Sequence, residues 1–357
     1  MEFALSAEQR LLQQSIAGVL SRASPPERVS AFAQSDEPIA RDIWSALAEI
    51  GVAGILIGAE HGGSGLGLLE AALAAETLSY AFAPSPFLGS AILAPLALAM
   101  SERDDLRHAW LPRLAAGEAV AGAAIHEAVA GARDSAGFSA SGGQLTGAAS
   151  LAIDAPGAEI LIAADRHGGL HLVRTVDAAF IRIRTIDATR RFADVRLSAA
   201  TAEALPGASL ERLRDAAFVI VAADMLGTSQ AMLDRAVAYA KERRQFGRPI
   251  GAFQGLKHLL AEMAAALEPC RSLVWYAAYA FDQDLPEAPL LAAHAKAHLS
   301  EVSRFVARSA TEAHGGVGFT DRLGLHYGFK RVGLDRQLFG GPEAVREHAA
   351  RLQGLVA

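Results

Sequence analysis

Apolar residues recur at helical spacing through the first third of the chain. Ser6, with Gln9 three residues later, gives a capping-box start to a helix that runs through Leu20. A second helix is expected to begin around Pro38, a good first-turn residue, to carry Ile43, Trp44, Leu47 and Ile50, and to end at Gly51. The loop Glu60-His-Gly-Gly-Ser-Gly-Leu-Gly67 opens a third helix through Tyr80, and residues 91–100 and 104–115 continue the pattern. From about residue 121 to 197 the spacing changes to period two, with hairpin cues at Gly142-Gly143 and Gly168-Gly169. Residues 160–164 and 170–173 read as paired strands, and Phe180-Ile-Arg-Ile-Arg184 as a half-exposed one. Helical spacing returns over 209–244, 253–283, 287–313 and 342–355. The expected class is α+β, mainly α. A helical domain (1–116) comes first, then a β domain (117–208) and a helical bundle (209–357).

Composition narrows the function classes. The chain has 357 residues, 52% of them hydrophobic, enough for two or three domains. A net charge of −6 leaves no electrostatic footprint for nucleic acid. The single cysteine, Cys270, excludes an internal disulfide, fits a reducing compartment and reads as a small buried hydrophobe. The start, MEFALSAEQR, has neither a basic opening nor a long apolar run, so no signal peptide is expected. Residues 88–100 are apolar but interrupted by Gly89 and Pro95 and too short to span a bilayer, so a cytoplasmic protein with no membrane partner is expected. His294 and His298 stand four apart on a helix, a metal-ligand spacing, but no third ligand lies nearby and no metal is expected. His314 reads as a helix-end histidine.

The most informative stretch is 239–258, Tyr-Ala-Lys-Glu-Arg-Arg-Gln-Phe-Gly-Arg-Pro-Ile-Gly-Ala-Phe-Gln-Gly-Leu-Lys-His. It sets an arginine, an amide and an aromatic ring at the end of one helix and a second amide at the start of the next. A guanidinium fork suits a pyrophosphate, and helix-start N–H groups attract phosphate. Residue by residue, a helical hairpin with a charged corner explains as much. As a string, it resembles the signature of the acyl-CoA dehydrogenase family, flavoenzymes that desaturate acyl-CoA thioesters. The resemblance implies that Arg243, Gln245, Phe246 and Gln254 contact the FAD of a neighbouring subunit. A second string, Glu312-Ala-His-Gly-Gly-Val-Gly-Phe-Thr320, has glycines that let a backbone approach a ligand. By the same resemblance Gly315 and Gly316 lie near that neighbour's pyrophosphate. The family usually has glutamine where this chain has Glu312. A carboxylate there is disfavoured by like charge, so Glu312 is expected to point away or to pair with Arg243.

The resemblance covers essentially the whole chain. It implies the family's fold, with a β-barrel-like middle domain and a C-terminal four-helix bundle. It also implies FAD as cofactor, acyl-CoA as substrate, and an electron-transferring flavoprotein or similar acceptor. The expected assembly is a homodimer or homotetramer, or a heterotetramer with a paralogous subunit.

In many members a glutamate removes the substrate's α-proton, and its place falls here on Gly340. In others the base sits on the long helix, at a place that falls on Ala217. Neither residue can take a proton. Asp215 lies two residues from Ala217 on another face. Asp224 shares that face seven residues on, about 10 Å along the axis, and is the base candidate, although shielding a hydrogen-bond network suits it better. Glu343 is a further carboxylate near Gly340. The Gly340 N–H is expected to remain available to a thioester carbonyl. The half of the site that would hold the chain's own flavin is altered as well. His126-Glu-Ala stands for the family's Thr-Glu-Pro, and Leu151-Ala-Ile-Asp154 replaces a Trp-Ile-Thr strand, with Leu151 for the tryptophan and Ile153 for the threonine.

Subgroup features also match. His326 and Arg331, Gly-Phe-Thr at 318–320 and Pro-Ser-Pro-Phe at 84–87 resemble members acting on steroid side-chain CoA esters. Some of those are two-gene heterotetramers in which one kind of subunit supplies the base. The readings are therefore a dehydrogenase or a subunit of one, a non-catalytic subunit that completes a neighbour's flavin site, or a flavin-free binding or scaffold homologue.

Overall fold

The structure, a computed structural model, describes residues 4–131, 133 and 136–356, so the first three residues of the MEFALSAEQR stretch lie outside it. Helix α1 (Ala7–Ala23) opens with both hydrogen bonds of the Ser6–Gln9 capping box. Two details differ from the pattern. A helix absent from the sequence reading, α2 (Pro26–Gln34), starts on a proline at its first turn. Pro38 lies in the bend before α3 (Arg41–Ala48) and does not open it. Trp44 and Leu47 of α3 are fully buried, and the burial of Leu47 is favourable by roughly 1.5–3 kcal/mol. Helix α4 (Leu68–Tyr80) begins at the glycine loop, and the Asp282 carboxylate accepts from its Leu68 and Leu69 N–H groups at 2.7 and 3.0 Å. A single π-helical turn (Leu88–Leu93) runs into α5 (Ala94–Met100), and α6 (Asp104–Ala115) follows.

The β region contains β1 (Ala121–Ala124), a short helix α7 (His126–Ala130), β2 (Gly137–Ser141), β3 (Gln144–Ile153), β4 (Ile160–Ala164), β5 (Leu170–Arg174), β6 (Ala178–Ile183) and β7 (Phe192–Ala204). Strands β3, β1, β4, β5 and β7 close into a ring through the β3–β7 pairing, with β2 and β6 alongside. Among the described strands β1 and β4 pair in parallel, and a single parallel bridge joins Phe138 to Asp165. Register shifts in β3 against β7 bend that strand around the ring. The hairpin turn at Gly142-Gly143 uses φ of 58° and 75°, as a tight two-residue turn demands. Phe138, Leu161, Val173 and Val195 fill the interior, while β6 keeps alternate residues exposed.

The remaining helices are α8 (Leu210–Glu242), α9 (Gln254–Asp282), α10 (Ala288–Ala313), α11 (Leu325–Asp335) and α12 (Pro342–Leu352), with a two-stranded hairpin, β8 (Arg244–Gln245) and β9 (Arg248–Pro249), between α8 and α9. Helix α11 escapes the periodic reading because two glycines, Gly328 and Gly333, and several charges interrupt its apolar stripe. Helix α8 is the axis of the molecule and packs on α4, α9, α10 and α11. It is long and apolar enough to cross a membrane, yet 89% of its most apolar window is buried within the protein.

Candidate functional site

The two motif strings meet at one corner of the bundle. Arg243 ends α8, and the β8–β9 hairpin turns at Phe246 and Gly247, with φ of 51° and 79°. This turn holds the Phe246 ring 91% exposed, against only the edge of Phe253 at 6.0 Å. The Arg248 guanidinium lies 4.2 Å from the centre of the Phe253 ring. Arg243 is exposed, and its guanidinium has no hydrogen bond or ion pair among the described residues. The Gln245 amide donates to the Arg244 carbonyl at 2.8 Å, and Gln254, the first residue of α9, stands 3.4 Å from His258. Gly315, at φ 64°, and Gly316 are open, with nothing within 4 Å of where a Cβ would stand.

What joins the strings is a ring stack that sequence reading missed. Tyr239, one turn before Arg243, lies against His314 at 4.7 Å and 26°. His314 is buried, and its Nδ1 is 2.7 Å from the Ala310 carbonyl, which fixes the ring with Nδ1–H donating. An aromatic residue one turn before the arginine was the available signal. Glu312 points away from Arg243 and accepts from Arg308 Nε at 2.8 Å.

The inner cleft, where a base and a resident flavin would face each other, is closed by direct contacts. His126 Nδ1 accepts the Phe339 N–H at 3.0 Å, and the two rings touch at 5.9 Å. Burial pushes the His126 imidazole down to about 4, so it is neutral and suited to accept. The Gly340 N–H is not available as expected: it donates to the Gln337 carbonyl at 3.1 Å, because the chain folds into a tight turn at φ 112°. The Gly340 carbonyl accepts from Lys296 Nζ at 3.4 Å, and the Arg336 carbonyl from the same amine at 3.2 Å. Lys296 is fully buried, which pushes its ammonium down to about 8. Ala217 is also fully buried.

The carboxylates are engaged. Asp224 accepts from Arg331 Nε and Nη2 at 2.7 and 2.6 Å, a bidentate pair. Burial alone would push the Asp224 carboxyl up, but Arg331 outweighs it and holds it low, while burial beside Asp224 pushes Asp335 up. Arg331 also donates to Thr189 Oγ1 at 3.1 Å. Thr189 Oγ1 and Arg190 Nε in turn donate to Asp187 at 2.6 and 2.8 Å. Arg190 stands 2.6 Å from Asp335 as an ion pair. Asp215 takes Arg214 at 2.9 Å, and exposed Glu343 lies 3.6 Å from Arg336.

The π turn seals the other side. Asp154 accepts the Gly89 N–H at 2.9 Å, and Ser90 exchanges hydrogen bonds with the Ala121 N–H and carbonyl. A Cβ on Gly89 would stand 2.5 Å from the Ala121 carbonyl oxygen, so only glycine permits this approach. Leu151 is half-buried against the core, and Ile153 is buried beside Asp154. A cavity of about 20 Å³ is left between Ile153, Asp154, Arg190, Ile220, Asp224 and Arg331. Elsewhere, His294 and His298 are exposed, and among the described residues no three His, Cys, Asp or Glu side chains are grouped to hold a metal. His326 packs on Tyr327 at 3.9 Å, and burial pushes the Cys270 thiol up to about 11.

Residues 6–118 match the family description "Acyl-CoA dehydrogenase, N-terminal domain", and residues 210–352 match "Acyl-CoA dehydrogenase, C-terminal domain". The acyl-CoA dehydrogenase IpdE2 of Mycobacterium tuberculosis is 31% identical over 342 residues, 95% of each chain. The chain belongs to the acyl-CoA dehydrogenase family. The IpdE2 of Mycolicibacterium smegmatis is 30% identical over 99% of this chain and 100% of its own. Among solved structures, a Tcur3481–Tcur3483 steroid ACAD variant superposes with a TM-score of 0.89 at 26% identity, covering 97% of this chain and 98% of that one. The ChsE4–ChsE5 complex from Mycobacterium tuberculosis shares the fold with a TM-score of 0.91 at 22% identity over the full length of both chains. The mainly helical fold around a small β-barrel is thus that of acyl-CoA dehydrogenases.

Proposed function

We propose that this chain is a subunit of an FAD-dependent acyl-CoA dehydrogenase, one that completes a neighbour's flavin site and supplies no base of its own. The observation that carries this reading is the closed inner cleft. A space of about 20 Å³, bounded by paired charges, admits neither an acyl chain nor a flavin ring, whereas ligand pockets run to roughly 300–1,000 Å³. The residues on that side do not fit a resident FAD: His126 spends its acceptor on Phe339, and Ile153 offers no hydroxyl.

The outer corner does fit the group, on a neighbour. Arg243 has a free fork for a pyrophosphate, and Gly315 and Gly316 leave their backbone open to close approach. Gln245 and Gln254 offer amides, and Phe246 an apolar ring face. When bound, FAD accepts the hydride equivalent lost from the acyl β-carbon. This chain's residues bind and orient its phosphate end, and the α-proton falls to a carboxylate of the paralogous partner. An electron-transferring flavoprotein or similar acceptor would then reoxidise the assembly. The Tcur3481–Tcur3483 steroid ACAD joins two named chains in one structure and supports a two-chain arrangement here. The same reading takes 1–116, 117–208 and 209–357 as the three domains and the cytoplasm as the place of action.

The test is spectroscopic. The chain purified alone is expected to be colourless and inactive on acyl-CoA esters, and the assembly with its co-expressed paralogue yellow and active. Stoichiometric FAD and robust turnover in the chain alone would overturn the proposal.

A further inference from the structure

A groove of about 1150 Å³ opens between α1–α2, the end of α4, the C-terminal half of α8 and the loop before α11. It is separate from the inner cleft, because α11 packs at Gly328 directly on Phe82 and Met232. Its wall is largely apolar, with Leu20, Val29, Phe82 and Leu325 buried along it. Arg235 stands in the apolar part of that wall. The Arg235 guanidinium lies 4.4 Å from the centre of the Phe82 ring and has no hydrogen bond or ion pair among the described residues. The adjacent carboxylate, Asp234, is already taken by the Tyr80 hydroxyl at 3.0 Å and the Gln230 amide at 2.9 Å. Ser24, which also lines the groove, is 5% exposed, and its hydroxyl lacks a partner among the described residues.

We infer that this groove binds a small amphiphile, a single carboxylate on an extended apolar body, with the carboxylate on Arg235. A guanidinium partly withdrawn from water without a counter-ion is unfavourable, and a planar carboxylate satisfies it through two parallel hydrogen bonds. Burial already pushes the Arg235 guanidinium down from its usual range. The remaining charges limit the ligand to one negative charge. Exposed Glu27, Glu242 and Asp321 outnumber exposed Arg322 at the rim, which disfavours a second negative charge on a ligand lying in the groove. The volume exceeds the roughly 300–1,000 Å³ typical of small-molecule pockets, so the apolar body is large or only partly enclosed.

Isothermal titration of the full chain, alone and in its assembly, with decanoate and with decanol tests the inference. Decanoate is expected to bind at least about tenfold more tightly than decanol, as a hydrogen bond to a charged group implies. Arg235→Met is expected to abolish that difference, while Arg322→Gln at the rim preserves it. Should Arg235→Met fail to fold, Ala31→Trp, which fills the groove from α2, is expected to displace both probes. Equal affinity for the two probes, an unchanged preference in folded Arg235→Met, or native binding by Ala31→Trp would each overturn the site. So would loss of decanoate binding on assembly, which would make the groove a protein interface.

Discussion

Around Arg243 the side chains reach into solvent with few partners. Around Asp224, about five turns earlier on the same helix, charges are matched in ion pairs and the space between them is filled. On the reading proposed above, the first region meets a neighbour's flavin, and the second is where a resident flavin and a base would otherwise face each other. The outer corner presents an arginine, amides and glycines to solvent, while the inner cleft is tightly packed and its charges are paired. Close packing there is stabilising, because a void costs about 24 cal/mol for each Å³. The lesson is that the inner cleft is closed by specific contacts rather than merely collapsed: His126 on Phe339, Lys296 on the Gly340 turn, and Gly89 pressed onto β1.

Catalysis gives the largest expected contrast between the two regions. Turnover of acyl-CoA by the chain alone should fall about two to four orders of magnitude below that of the assembly, the usual value of a placed base. Gly340→Glu should not restore it, since the backbone there sits at φ 112° and the cleft is closed. Steady-state assays with an artificial electron acceptor check both. Next, Arg331→Met strands Asp224 as a buried, unpaired carboxylate and should destabilise the fold by about 3–5 kcal/mol, read by denaturant titration. A comparable but smaller effect is expected from acid. His126 falls from the ordinary 6.5 to about 4 on folding, so the unfolded chain binds its proton first. Its contribution, roughly 3 kcal/mol, is present above pH 6.5 and is lost as pH falls toward 4, and His126→Gln should flatten that part of the stability profile. At the outer corner, Arg243→Ala should leave the isolated chain's stability unchanged but weaken FAD retention in the assembly by roughly 1.5–3 kcal/mol, measured by flavin release. The smallest effect is Phe246→Ala, which should alter the melting of the isolated chain by under about 0.5 kcal/mol, because its ring is almost fully solvated.

Much of this was legible in the sequence because local rules govern it. The capping box at Ser6, the Gly142-Gly143 turn and the α6 span follow from short-range chemistry, and the motif string marked the corner at Arg243. What could not be read depends on approach between distant segments. Helix α11 hides its apolar face among charges because Arg331 and Asp335 point inward to partners more than a hundred residues away in the chain. The Tyr239–His314 stack joins residues on two helices and leaves no periodic trace. The Gly340 N–H looked free because the turn that consumes it is set by Lys296 from another helix.

The solvated ring of Phe246, together with Phe319 at 76% exposure, has a consequence for the life of the protein in the cell. Two bare aromatic groups on one subunit are handles for chaperones and proteases. On the two-chain reading proposed above, a chain that covers them only by pairing should accumulate in proportion to its partner, so that the scarcer of the two fixes the abundance of both.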